Sequence, residues 1–241
     1  MSIAYEMFKS IGKKPCPPGA IRVERCPLVI NQESEDLLSS NIFWSAKYLQ
    51  AGIWLIPLLK TAFRHKNFRT DDRTIPKVEF WKKLPSPPGE YQEGIEEVDI
   101  VITVHHMVVL IECKFRSTLQ PEGSRNARRD QVARYLDAAV FNYWPDSKTS
   151  RQIYFILLTD TAEEPPILSL YRNPRKILEN LSQSSPFLDY EAISHTLAGN
   201  IGWISWKDLL AILETSARKR LPPIEGMIVK DLILYLKRKV G

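Results

Sequence analysis

The chain has 241 residues, 44% of them hydrophobic and 25% charged, with a formal net charge of +5. These values describe an ordinary globular protein with a core sized for one domain, and no repeat or low-complexity tract stands out. No apolar run approaches the roughly 20 residues that cross a bilayer, Met1 to Ser10 lacks the apolar region of a secretory leader, and three cysteines (Cys16, Cys26, Cys113) form neither a disulfide framework nor a zinc hook.

A cytoplasmic protein with no membrane partner is therefore expected, and its modest positive charge permits an acidic polymer as partner without demanding one. Residues 1–30 are rich in proline and glycine (Pro15, Pro17, Pro18, Gly19) and read as an N-terminal arm. Glu33-Ser34-Glu35-Asp36 opens a helix, its acids suiting the positive end, with Leu37, Leu38, Ile42, Ala46 and Leu49 at helical spacing. Gly52 and Pro57 bend or divide that helix before it ends near Phe63, and a basic loop (Arg64, Lys66, Arg69, Arg73) follows. Lys77–Trp81 reads as a first strand and Pro85–Gly89 as a loop. Two apolar runs, Ile100–Val104 and Met107–Ile111, separated only by His105 and His106, read as a hairpin with an exposed tip.

A helix from about Ser124 to Tyr143 turns Val132, Leu136, Ala139 and Val140 inward. Gln152–Thr159 is a strand buried on both faces, and Pro174–Asn180 a short helix. Ile201–Ser205 is a last strand whose Ser205 caps a helix over Lys207–Glu214, with Trp203 and Trp206 as core. After Pro222 and Pro223 a closing helix runs to about Lys239, with Ile224, Ile228, Leu232, Tyr235 and Leu236 inward. The order helix, three strands, helix, strand is an α/β pattern, with one domain over 31–216 and the helix of 217–241 packed on it.

The chemistry sits in the hairpin. If His105 and His106 form a two-residue loop, Val104 pairs with Met107, Thr103 with Val108 and Val101 with Leu110, so Asp99 falls opposite Glu112. Opposed like charges repel at a Cβ separation of roughly 4.5–5.5 Å, so two carboxylates in an apolar hairpin are unfavourable alone and favourable around a divalent cation. Mg²⁺ uses one or two carboxylates and recruits phosphate oxygens. Lys114 lies one same-face step beyond Glu112, placed to polarise a water or stabilise phosphate charge. The bland reading is a buried Glu112–Lys114 ion pair. Glu96 and Glu97 read as solvated strand-entry acids, Glu97 on Asp99's face, and Arg125, Arg128, Arg129 and Arg134 as a partly solvated face from which Arg128 could hold a phosphate. The basic residues near the end (Arg218, Lys219, Arg220, Lys237, Arg238, Lys239) read as surface charges.

Val98-Asp99, twelve intervening residues, then Glu112-Cys113-Lys114 resembles the motif of the PD-(D/E)XK nuclease superfamily, also called restriction-endonuclease-like. The likeness spans Glu33 to Trp206, with Val98 where the motif's proline would stand. It implies an αβββαβ core whose mixed central sheet is flanked by helices, with a C-terminal helical addition. It implies that Asp99 and Glu112 bind Mg²⁺ (Mn²⁺ substituting), joined by the backbone carbonyl of Cys113, and that Lys114 assists the attacking water. Gln131 and Tyr135 resemble the Q-x₃-Y element of RecB-type members, and Glu35, with Glu33 and Asp36 as alternatives, resembles the acid of the opening helix. Arg125, Arg128 and Tyr135 would meet the nucleic acid. The expected function is a metal-dependent endonuclease, on DNA ahead of RNA, and two-strand cutting makes a homodimer plausible. The competing expectation is a nucleic-acid-binding module on the same fold that does no chemistry.

Overall fold

The computed structural model describes residues 35–69, 73–88, 93–117, 119, 128–144 and 151–240. Five strands form one open sheet in sequence order: β1 (Lys77–Pro85), β2 (Ile95–Val104), β3 (Met107–Cys113), β4 (Gln152–Thr159) and β5 (Ile201–Ser205). The first three pair antiparallel and the last two join in parallel, so the sheet is mixed. Helices α1 (Glu35–Ala46), α2 (Leu55–Ala62), α7 (Trp206–Ala217) and α8 (Pro223–Val240) bury their apolar residues against one face, with Ile102, Val109 and Ile156. On the other face lie α3 (Gln131–Tyr143), α4 (Ile167–Tyr171), α5 (Pro174–Asn180) and α6 (Tyr190–Ala198), packed with Val108, Leu110 and Phe155. The chain is thus an α/β protein of three layers. Among the described residues no helix is long and apolar enough to cross a membrane.

Several expected elements shift. The first helix is two helices, because Pro57 sits in the first turn of α2, where its missing N–H costs nothing. The connecting residues Leu49, Ala51 and Ile53 are buried, and the Ala51 amide donates to the Thr74 carbonyl at 2.8 Å. Strand β1 runs on to Pro85, which an edge strand tolerates. Helix α3 begins only at Gln131, capped by Asp130, whose carboxylate accepts the Ala133 amide at 3.0 Å; residues 124–127 and Arg125 among them lie outside the described residues, as do Cys16, Cys26, Glu33 and the arm. Sequence periodicity missed α4 and α6, short helices whose burial is irregular. Helix α8 buries Val229, Leu232 and Leu236, whereas Ile224, expected inward, is exposed. Ser205 caps α7 as expected, in a reciprocal box with Asp208. Trp206 is fully buried, Trp203 half-buried.

Strands β1 and β2 change face at one place. Phe80 and Ile100 pack on the α1 side, but Leu84 and Val98 pack on the α3 side, although each pair shares a parity that regular alternation would keep on one face. The ladder steps from Phe80–Ile100 to Lys82–Val98 without a Trp81–Asp99 pair, and Trp81 takes a left-handed φ of 46° there. Glu96 consequently turns inward and pairs with Arg134, Nε to Oε1 2.9 Å, rather than standing in solvent. Arg129 is equally far from a solvated face. It meets Glu93 at 2.6 Å and Asp137 at 2.8 Å, and all three side chains are almost fully buried.

Candidate active site

The hairpin register is the expected one: Val104 pairs with Met107, Thr103 with Val108 and Val101 with Leu110. The turn is made by His105 in the left-handed region at φ 50°, and both histidines are exposed. Pairing ends at Ile100–Ile111, one step short of Asp99 and Glu112. Asp99 instead accepts the Cys113 amide on Oδ2 at 2.9 Å, which closes the end of the hairpin and brings the two acids together.

Glu112 is buried, 1% exposed. Its Oε1 accepts from Lys114 Nζ at 2.5 Å and from Gln131 Nε2 at 2.8 Å. Its Oε2 is buried and has no hydrogen-bond partner. A buried carboxylate oxygen left without a donor is costly unless something outside the protein fills the place. Gln131 stands at the start of α3 and also donates to the Tyr135 hydroxyl at 2.7 Å, while that hydroxyl donates to the Glu97 carbonyl at 2.9 Å. Tyr135, expected at the nucleic acid, is therefore buried and works as a brace for Gln131.

The opening-helix acid that reaches this cluster is Glu35. Its Oε1 lies 3.4 Å from Lys114 Nζ, and its Oε2 accepts the Phe115 amide at 2.8 Å and the Ser117 hydroxyl. Lys114 is held from behind as well: its amide donates to the Leu158 carbonyl at 2.7 Å, and its carbonyl accepts from Trp206 Nε1 at 3.2 Å. Nothing in the sequence marks Ser117 or Trp206 for these parts. Cys113 turns its side chain into the opposite core, so only its backbone faces this cluster. Arg128 is exposed, its amide held by Glu93 Oε1 at 3.0 Å.

Three carboxylates surround one ammonium. Burial first, and then the neighbouring Glu112 charge, push the Asp99 carboxyl well above the usual carboxylate range, against the pull of Lys114 and the Cys113 amide. Part of the Asp99 surface still reaches solvent. Burial likewise raises Glu112, with Lys114 opposing. For Lys114 burial works against the charge, but Glu112, Glu35 and Asp99 together outweigh it and hold the ammonium above its ordinary value. Burial and the adjacent acids also raise the Cys113 thiol.

Among the described residues no three His, Cys, Asp or Glu side chains form a metal cage by themselves. Mg²⁺ does not need one, since one or two carboxylates with water and substrate phosphate complete its shell. The orphaned Glu112 oxygen, the crowding of its charge with that of Asp99 and the surplus of negative charge fit such an ion. No family model, curated protein or solved structure matches this chain.

Proposed function

We propose that this protein is a metal-dependent endonuclease of the restriction-endonuclease-like class, hydrolysing phosphodiesters, with DNA as the first substrate to test. One observation carries the reading. Glu112 spends one oxygen on Lys114 and Gln131 and keeps the other buried without a hydrogen bond, while its charge crowds that of Asp99. A structural ion pair gains nothing from an unpaired buried oxygen, whereas a cation-binding carboxylate needs one.

Asp99 and Glu112 would hold Mg²⁺ or Mn²⁺, and the ion would supply neutralisation of charge on the scissile phosphate and on the leaving oxygen. Lys114 stays protonated at neutral pH, because its acids hold the proton on. Its part is accordingly to donate to and orient the attacking water and to stabilise developing phosphate charge, not to act as a base. Glu35 anchors the far side of that ammonium. Gln131 fixes the rotamer of Glu112, and Tyr135 fixes Gln131.

The test is nicking of supercoiled plasmid with Mg²⁺ or Mn²⁺. Cleavage is expected, is lost in EDTA, and is lost in Asp99→Ala, Glu112→Ala and Lys114→Ala while circular dichroism shows the fold intact. Full activity in EDTA or in all three variants rejects the mechanism. Binding without nicking across both metals would instead favour a non-catalytic nucleic-acid-binding module.

A further inference from the structure

On the same face of the sheet as Glu112, at the other end of α3, a groove of about 410 Å³ lies between edge strand β1 and the helix's last turn. Gln131 and Tyr143 are twelve residues apart on α3, so the groove lies about 18 Å from the acidic cluster along the helix. The volume falls in the range of ligand sites, but the lining is polar and cationic. Lys77, Lys82, Lys83 and Arg151 face it against a single carboxylate, Glu79.

Glu79 leaves most of that charge available. Lys77 Nζ sits 3.1 Å from its Oε2 and Lys82 Nζ 2.7 Å from its Oε1, and an ammonium has three donors, so both lysines keep donors in reserve. Among the described residues no carboxylate pairs with Lys83 or Arg151. Thr103 and the Tyr143 hydroxyl add neutral donors at the wall. Asn142 contributes stiffness instead, its amide being spent on the Pro85 and Ala138 carbonyls at 2.9 and 2.7 Å. Lysines on an edge strand commonly deter strand addition. That reason does not extend to Arg151, which leads into β4, three strands away, and still converges with Lys82 on Tyr143. Cations drawn from two separate parts of the fold onto one concave surface match an anionic ligand.

We infer that the groove holds phosphate groups of a nucleic-acid strand, a second backbone contact remote from the acidic cluster; this rests on the nucleic-acid reading above. The test is fluorescence anisotropy with a labelled duplex oligonucleotide in EDTA, so that no cleavage intervenes, over a series of salt concentrations. The full chain is compared with Lys83→Gln/Arg151→Gln, which breaks no ion pair, and with Lys219→Gln/Lys230→Gln, which removes the same charge from exposed positions outside the groove. Each phosphate contact adds about 0.9 to the log–log salt slope on duplex DNA, so the groove variant is expected to bind more weakly with its slope shallower by about 1.8. The control variant is expected to keep most of both.

Equal losses in the two variants would reduce the effect to net charge and overturn the assignment. Sodium pyrophosphate titrated calorimetrically separates the sources of phosphate. If it binds the wild type and not the groove variant, while oligonucleotide affinity is the same in both, the groove serves free phosphates and the strand assignment falls. The two proposals fail separately: groove-dependent binding without any nicking sinks the nuclease and keeps the groove, and nicking with groove-independent binding does the reverse.

Discussion

Replacing Asp99 by Asn removes one charge from the acidic cluster while keeping an oxygen that can accept the Cys113 amide. In the native protein burial and Glu112 raise the Asp99 carboxyl, so the folded state holds a proton that the unfolded chain, titrating near an ordinary value of about 3.9, has released. Between those two values the folded state binds more protons, and stability therefore falls as pH rises through the window. Each such group contributes a slope of at most about 1.4 kcal/mol per pH unit, and Glu112, raised in the same sense, adds to it. The metal-free wild type should accordingly lose stability as pH climbs from the acidic side toward neutrality, and Asp99→Asn should flatten that decline and be the more stable of the two at neutral pH.

A divalent cation acts in the opposite direction by binding the ionised pair in the folded state alone. At a hundredfold excess over its Kd it contributes about 2.7 kcal/mol, which for a chain of this size raises Tm by roughly 5–10 °C. Asp99→Asn should lose most of that response. Thermal melts in EDTA and then in excess Mg²⁺, at several pH values, read both effects without reference to catalysis. An equal Mg²⁺-induced rise in the variant, or wild-type stability that increases with pH through the window in EDTA, would refute the reasoning.

Two further substitutions test the packing that positions the cluster. Arg129→Met strands Glu93 and Asp137, both almost fully buried, without their cation, and should cost about 3–5 kcal/mol in urea denaturation; a loss below about 1 kcal/mol would mean that the trio does not hold the entry to α3. Gly202→Ala places a Cβ 2.7 Å from the Phe63 ring and 3.0 Å from the Ala62 Cβ. Because β5 and α2 are packed here without slack, the change should destabilise by about 1–3 kcal/mol, and an unchanged denaturation midpoint would show that α2 yields freely.

The parts of the fold that were legible are those where the chain leaves few choices. Two histidines between apolar runs, read as a two-residue loop, give a register that the β2–β3 pairing follows as far as Ile100–Ile111. Ser205 at the end of an apolar run announces a capped helix, and α7 begins there. What escaped is long-range: Glu93 and Arg129 lie in segments outside the helices and Asp137 in the middle of α3, and their charges look solvated until the fold brings them together. The same holds for Glu96 and Arg134. At the acidic cluster, Asp99, Glu112 and Lys114 could be singled out because charges interrupt an apolar pattern. Trp206 and Ser117 could not, since their contacts are made with backbone or with a residue far away in sequence.

The interruption of alternation in β1 and β2 bears most on function. Regular alternation put Glu97 on the face of Asp99, but the strands switch faces at the Trp81–Asp99 step. A bulky residue at a φ of 46° costs about 1–3 kcal/mol of backbone strain, and it falls opposite the carboxyl that burial and Glu112 most disfavour as an ion. Strain and charge crowding each oppose folding, and a sequence free to lose either would gain stability by changing one residue. Their coincidence at Asp99, beside a buried Glu112 oxygen with no partner, is costly for a structural ion pair and intelligible for a carboxyl held ready for a cation.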